Sequence, residues 1–257
     1  MVITDNRLLW QQFAGIVADE NVDSLFRYYF SPSNKPFLAE FVERSDFQPI
    51  DVKTDWRRIV QGFDLVISLH CKQIFPAQLA RAVKCINIHP GLNPYNRGWF
   101  PQIFSIINKL PFGATIHVID EHLDHGPIID QEEVPLFAWD TSLTAYNRVI
   151  EAELRLVRKN LKKILCGEYT CRQPDKEGNL NLARDFQRLR HLKMDEVGTF
   201  QSFIDRLRAL THGEYLNGYF LDESGKRVFV KVELQPEEAD RKGNVCFSTG
   251  PWSHELF

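Results

Sequence analysis

The chain has 257 residues, 44% of them apolar, which is enough for one main domain with a sizeable core and a smaller annex. A net charge of −3 and a pI near 6.3 supply no global field for nucleic acid or an anionic membrane. The opening MVITDNRLLW lacks a cationic start ahead of a long apolar run, and no segment approaches the roughly 18 apolar residues of a membrane span, so a soluble cytoplasmic protein is expected.

Residues 2–4 are a short apolar strand, and Asp5-Asn6 can cap a helix carrying Leu9, Phe13, Ile16 and Val17 at three- and four-residue spacing. This βα unit has no GxGxxG at its turn, which removes the backbone approach to a pyrophosphate and with it nicotinamide and flavin dehydrogenases. Residues 25–30 form a second strand candidate, 36–43 a helix, and 63–69 (FDLVISL) an apolar run of the kind buried on both faces of a parallel sheet. A helix over 77–82 leads to a strand at 84–88. A turn-rich loop follows, then a helix over 99–108 with Pro101 in its first turn, and strands at 112–119 and 128–135. Over 142–165, Leu143, Tyr146, Val149, Ile150, Leu154, Val157, Leu161 and Ile164 keep helical spacing between a Thr141 cap and Gly167. Lys159, Lys162 and Lys163 fall on the outward face of that helix and read as solvated. The alternation predicts a Rossmann-like α/β unit, a mostly parallel sheet with helices on both faces and ligand at its carboxyl edge.

At 173–179 (QPDKEGN) the composition turns polar and turn-rich, dividing the chain into a main domain over 1–175 and a C-terminal α+β annex over 176–257. The annex carries a helix at 199–210, read with Phe200, Phe203, Ile204 and Leu207 inward, and a β-hairpin of 219–221 with 227–234 around ESGK. From Pro174 onward there are 12 Lys plus Arg against 14 Asp plus Glu, so the annex is no basic RNA-binding appendage. Its VFVKVEL run leaves an apolar strand edge that a second copy would cover, which predicts a homodimer. Cys71, Cys85, Cys166, Cys171 and Cys246 are odd in number and contain no CxxC pair, so they read as reduced structural thiols.

The chemistry concentrates in residues 85–131. In the strand at 84–88, Ile86 and Ile88 share one face, while Cys85, Asn87 and His89 share the other, with Asn87 and His89 about 7 Å apart. Pro90 and the NPYNRG run place both polar groups where the chain leaves the sheet. An Asn amide can donate to an oxygen that gains charge, a His near neutrality can move a proton, and a carboxylate such as Asp124 can fix the imidazole tautomer. Taken alone, each has a plainer reading: Asn87 as a loop cap, His89 as a satisfied strand-end residue, Asp124 as an ordinary turn residue.

The order NxHP, a turn and RG, GATIHVID, then DxGPIIxQ resembles the folate-dependent formyltransferase family, which includes glycinamide ribonucleotide and methionyl-tRNA formyltransferases. The resemblance covers about the first 175 residues, and the HPGLNPYNRGWFPQ version is most similar to enzymes that N-formylate nucleotide-linked amino sugars. It implies Asn87, His89 and Asp124 as the catalytic trio and 10-formyltetrahydrofolate as formyl donor. The implied pterin loop spans 69–75, chiefly Lys72, Gln73 and Ile74, with the loop before Asp124, including Asp120, closing the other side. The implied acceptor is a dTDP-linked 3- or 4-amino-dideoxyhexose, a precursor of O-antigen or another surface glycan.

Other residues carry two readings each. Thr115 and His117 project together and line the folate side, or His117 is a satisfied core residue. For the acceptor's pyrophosphate and base the candidates are Asn6, Arg7, Arg97, Tyr215, Tyr219 and Phe220, although Arg97 can equally anchor its turn and the aromatics can equally be packing. His117, His122 and His125 with Asp120 and Asp124 match no helical HxxxH or finger spacing, and no metal is expected. The rival functions are methionyl-tRNA or glycinamide ribonucleotide formylation and, in another class, a folate-binding regulator without turnover.

Overall fold

The structure is a computed structural model that describes residues 1–41 and 43–237; Cys246 and the last part of the annex lie outside the described residues. The chain opens with β1 (Val2–Thr4), all three residues buried, and α1 (Arg7–Asp19), whose Asn6 cap accepts from Leu9 N at 2.9 Å and whose Leu9, Phe13, Ile16 and Val17 turn inward as their spacing predicts. The second strand is shorter than expected. Asp23–Leu25 is a 3₁₀ turn with Leu25 63% exposed, and β2 is Tyr28–Phe30.

After α2 (Lys35–Phe41) come β3 (Phe47–Pro49) and α3 (Trp56–Gly62), two elements the periodicity did not show. Each buries a single residue, Phe47 and Ile59, too few to make a pattern, and β3 tolerates its Pro because it is an edge strand. Then follow β4 (Leu65–Leu69), α4 (Ala77–Ala82), β5 (Lys84–His89), β6 (Arg97–Gly98), α5 (Pro101–Asn108), β7 (Gly113–Val118), β8 (Ile128–Glu133) and α6 (Ser142–Cys166).

Among the described residues the main sheet has seven strands in the order β3-β2-β1-β4-β5-β7-β8. Pairing is parallel from β3 to β5, and β7 then runs antiparallel to both β5 and β8. One face of the sheet packs α1 and α6, through Leu9, Phe13, Val149, Ile150, Val157 and Leu161; the other packs α3 and α4, through Ile59 and Leu79 against Ile3, Val66 and Cys85. Thr141 and Thr144 form a capping box at the start of α6, and Gly167 ends it at φ +72°, the left-handed region that glycine enters at little cost. Lys159 and Lys162, expected to be merely solvated, are exposed but reach Asp130 at 2.8 Å and Glu20 at 2.5 Å.

The annex begins by returning to the sheet's loops. β9 (Leu180–Asn181) pairs parallel with β6, Phe186 of α7 (Ala183–Arg190) packs on Phe100, and Ala209 and Leu210 of α8 (Phe200–Leu210) join Ile103, Phe104 and Ile106 of α5. α8 corrects the inward stripe. Phe200 is 87% and Ile204 39% exposed, because the buried side of this helix is Asp205, Arg208, Ala209 and Leu210 instead. β10 (Gly218–Leu221) and β11 (Arg227–Val230) form the expected hairpin, with the second strand ending at Val230 and not at residue 234.

Candidate active site

Strand order reverses between β1 and β4, and in open α/β sheets the crevice outside such a switch point receives ligand. Here the chain ends of β1, β4 and β5 deliver Asn6, His70 and His89 to one cavity of about 260 Å³, closed by the loop that carries Asp120 and Asp124 and by Trp99 to Gln102. Among the described residues no helix is long and apolar enough to cross a membrane.

Asn87, His89 and Asp124 meet in this cavity. Asn87 Nδ2 donates to Asp124 Oδ1 at 2.9 Å and lies 3.3 Å from His117 Nε2. Gly98 N donates to Asp124 Oδ2 at 3.1 Å, Asn93 Nδ2 donates to the Asp124 carbonyl at 2.9 Å, and Asp124 itself sits at φ +48°. His89 Nδ1 stands 3.7 Å from Asp124 Oδ2, beyond hydrogen-bond reach, so the carboxylate lies beside the imidazole without fixing its tautomer by a bond. Two glycines make the geometry fit. A Cβ on Gly91 would come within 2.5 Å of His89 Nε2, a buried nitrogen with no hydrogen-bond partner among the described residues, and a Cβ on Gly98, at φ +90°, would meet Asn181 O at 2.3 Å.

The electrostatics depart from the near-neutral histidine expected of the sequence. Burial pushes the His89 pKa down to about 4; the Asp124 charge opposes this, and His117 and His70 add to it. Asp124 is held below the ordinary carboxylate range. Burial works against its charge but is outweighed by His89, by His117 and by the Gly98 N–H. At neutral pH the crevice therefore holds a neutral imidazole beside a carboxylate, an arrangement able to take up a proton and then to stabilise the imidazolium that results.

Lys72, Gln73, Ile74, His117 and Asp120, the candidates for the folate side, all line the cavity, and Ile74 is 64% exposed. Gln73 is pinned from behind, its side chain accepting from Val52 N and donating to Ile50 O, both at 2.9 Å. Thr115 does not line it. The turn after His89 folds over this residue, whose hydroxyl donates to Gly91 O at 2.7 Å and accepts from Asn93 N at 3.0 Å, so it braces the turn from below. Of the acceptor candidates, Asn6 is in the wall; the others are not. Arg7 is half-exposed and paired with Glu40 at 2.9 Å. Arg97 is turned away by the β6–β9 pairing and lines a separate cavity of about 230 Å³ with His125 and Lys176, its guanidinium 2.9 Å from Glu177. Tyr215, Tyr219 and Phe220 sit in the annex, Tyr219 stacked on His191, and none lines the crevice. The ligand atoms of Asp120, His122 and His125 lie within 4.8 Å of one another, a grouping that linear spacing concealed. Asp120 already accepts from His122 N at 2.8 Å and lies 3.0 Å from His125 Nδ1, contacts that brace the loop.

Two wall residues, His70 and Tyr146, and Glu153 behind them escaped the sequence reading. His70 follows β4 as His89 ends β5, so the logic that found one strand-end histidine reaches the other. Tyr146 was placed in the core stripe of α6, and Glu153, two turns along, carries a carboxylate with no exposure.

Comparison with known proteins identifies the family. A formyl transferase family model matches residues 42–161, and the model of an N-formyltransferase dimerization C-terminal domain matches 185–236. The chain is 53% identical over 188 residues to a dTDP-4-amino-4,6-dideoxyglucose formyltransferase of Mycobacterium tuberculosis, covering 73% of this chain and 80% of the relative. A 4-N formyltransferase from Francisella tularensis superposes with a TM-score of 0.85 at 44% identity, and a sugar N-formyltransferase from a Shewanella species with 0.86 at 42%. Each alignment covers 91% of this chain and 97% of the other.

Proposed function

The chain belongs to the formyltransferase family, and on that footing we propose that it transfers the formyl group of 10-formyltetrahydrofolate to the C4 amine of a dTDP-linked amino-dideoxyhexose. The observation that carries the reading is the buried, neutral His89 beside Asn87 and Asp124 at the crevice end of β5. Position C4 follows the Mycobacterium and Francisella relatives, whose names specify a 4-amino acceptor and 4-N transfer.

The wall residues fit a flat, partly apolar donor. Lys72, Gln73 and Ile74 form one side, with Ile74 presenting exposed apolar surface, and Leu123 and the Asp120 loop form the other. Bound there, 10-formyltetrahydrofolate supplies the formyl carbon that the acceptor amine attacks. His89, neutral above about pH 4, would take the proton the amine sheds and pass it to N10 of the folate as the N10–formyl bond breaks and tetrahydrofolate leaves. Asp124 stays charged and stabilises the imidazolium across 3.7 Å. Asn87, locked by Asp124 and His117, offers its amide to the oxygen that gains charge, and must exchange one of those two contacts to do so.

We assign catalysis to residues 1–175 and subunit pairing to 176–257. Val197 (97%), Phe200 (87%) and Met194 (74%) are far more exposed than apolar side chains in a finished surface need be, and they fall in the region matched by the dimerization model. A homodimer covers them. The product is a formamido sugar nucleotide of the kind consumed in the cytoplasm for lipopolysaccharide O-antigen or other surface glycans.

Incubation with 10-formyltetrahydrofolate and a panel of dTDP-amino sugars, read by mass spectrometry, tests class and acceptor together. A gain of one formyl on the 4-amino sugar nucleotide is expected. Formylation of methionyl-tRNA but of no sugar nucleotide moves the assignment to the rival within the family, and folate binding without transfer to any acceptor moves it to the regulator.

A further inference from the structure

Four side chains from three parts of the chain stand in single file along one wall of the crevice. Glu153, wholly buried on α6, holds His70 Nε2 between its two oxygens at 3.0 and 2.9 Å. His70 Nδ1 is 3.1 Å from the Tyr146 hydroxyl, and Asn6 Nδ2 donates to that same hydroxyl at 3.3 Å. Asn6 Oδ1 is occupied as the cap of α1. Asn6, His70 and Tyr146 line the cavity, whereas Glu153 lies behind them.

Stability does not explain this arrangement. A buried carboxylate held by a single polar partner is often replaceable by apolar side chains without loss, and Glu153 has His70 as its one partner among the described residues, while His70 sits at φ +54°, a region unfavourable to a side chain. Burial raises the Glu153 carboxyl and His70 opposes the rise. The file does, however, have a direction. With Glu153 charged, His70 donates through Nε2, its Nδ1 is left to accept from the Tyr146 hydroxyl, and the Tyr146 oxygen accepts from Asn6. One hydrogen on Asn6 Nδ2 then remains, with no partner among the described residues, at the cavity wall.

We propose that Glu153 is a positioning residue for the acceptor: through His70 and Tyr146 it fixes Asn6 so that the amide donates its remaining hydrogen to an oxygen of the amino sugar, holding the amine toward His89. This rests on the acceptor reading above. It narrows that reading to an acceptor with a hydrogen-bond-accepting oxygen beside its amine, a feature of the sugar and not of the nucleotide.

The test is steady-state kinetics on the full chain, varying dTDP-4-amino-4,6-dideoxyglucose and 10-formyltetrahydrofolate in turn, for the parent, Glu153→Gln and Tyr146→Phe. Each variant should raise the acceptor KM about tenfold, the size of one lost hydrogen bond to a fixed group, and leave the donor KM within about twofold. The double variant should be no worse than the single ones, because both break the same file. Tyr146→Phe keeps the ring and deletes only the hydroxyl, so it carries the test if Glu153→Gln does not fold. An unchanged acceptor KM in Tyr146→Phe, or donor and acceptor constants moving together with a fall in Tm, overturns the proposal. A parent that formylates no sugar nucleotide shows instead that the acceptor reading beneath it has failed, and the proposal falls with it.

Discussion

The crevice and the annex break the usual rule of burial in opposite directions. In the crevice, charged and polar groups are buried: Glu153, His89, His117 and Asp124 are all nearly or wholly out of solvent, and most of their polar atoms are matched to a partner within one chain. In the annex, large apolar groups are exposed, and Val197, Phe200 and Met194 have nothing of comparable size to cover them among the described residues. The difference teaches where each region finds its complement. The crevice is assembled by the fold of a single chain; the annex presents an apolar surface that, in the proposed homodimer, a second copy covers.

The largest effects should come from breaking the crevice alone. Asn87→Ala removes the donor proposed for the reacting oxygen and unfastens Asp124, and should lower kcat by on the order of a hundredfold or more while the oligomeric state, followed by light scattering, stays as in the parent. Asp124→Asn should bind both substrates but turn over at a comparably reduced rate, because a neutral amide cannot stabilise the imidazolium. Turnover at the parental rate by either folded variant breaks the assignment of the crevice as catalytic.

Acid should test the burial of one histidine in each region. His89 and His212 are buried histidines whose pKa values are pushed down to about 4, burial being the first cause for each. A depressed folded-state value means that the unfolded chain binds the proton first, so stability is full above the unfolded value near 6.5 and is lost as pH falls toward 4, by up to about 3 kcal/mol per histidine. Urea unfolding between pH 7 and 4 should show that slope, and His89→Gln should remove roughly half of it. A flat profile over this window means that these rings take up their protons in the folded chain as readily as in the unfolded one.

Breaking the annex alone should give an intermediate effect. Phe200→Asp places a charge on the exposed stripe and should shift the protein to monomer, costing about 1.5 to 3 kcal/mol of apolar burial per subunit, with the His89 site chemistry unchanged in the residual activity. Parental dimer strength in that variant places the pairing surface elsewhere. The smallest effect should come from Arg7→Ala. Its partner Glu40 is as exposed as it is, so stability should move by less than about 1 kcal/mol and the acceptor KM should not move. A large rise in that KM would return Arg7 to the acceptor site.

Much of the crevice was legible because strand alternation is a strict rule. Asn87 and His89 had to share a face, and Pro90 had to end the strand there. Asp124 was not legible by periodicity, since it stands in a loop at positive φ, and only the order of linked motifs pointed to it. Thr115 and Arg97 show where the rules stop. The alternation of β7 gave the right face for Thr115 but could not show the turn that covers it, and a two-residue pairing with residues far along the chain decides which way Arg97 points. His70 and Glu153 are 83 positions apart, so no local pattern joins them. In α8 the spacing announced an apolar stripe but not which surface would receive it, and Phe200 and Ile204 face outward because Arg208, held by Asp205, is buried against the loop before α6.

The most direct test of the account is a competition in one reaction. Equal amounts of dTDP-4-amino-4,6-dideoxyglucose, its 3-amino counterpart and the free 4-amino sugar are mixed with limiting 10-formyltetrahydrofolate, and the formylated products are counted by mass spectrometry. The formyl group should appear on the nucleotide-linked C4 amine, in preference to the free sugar by more than about tenfold, since even one lost remote contact is worth 1 to 3 kcal/mol. Even distribution among the three, or no formylated sugar at all, contradicts the account.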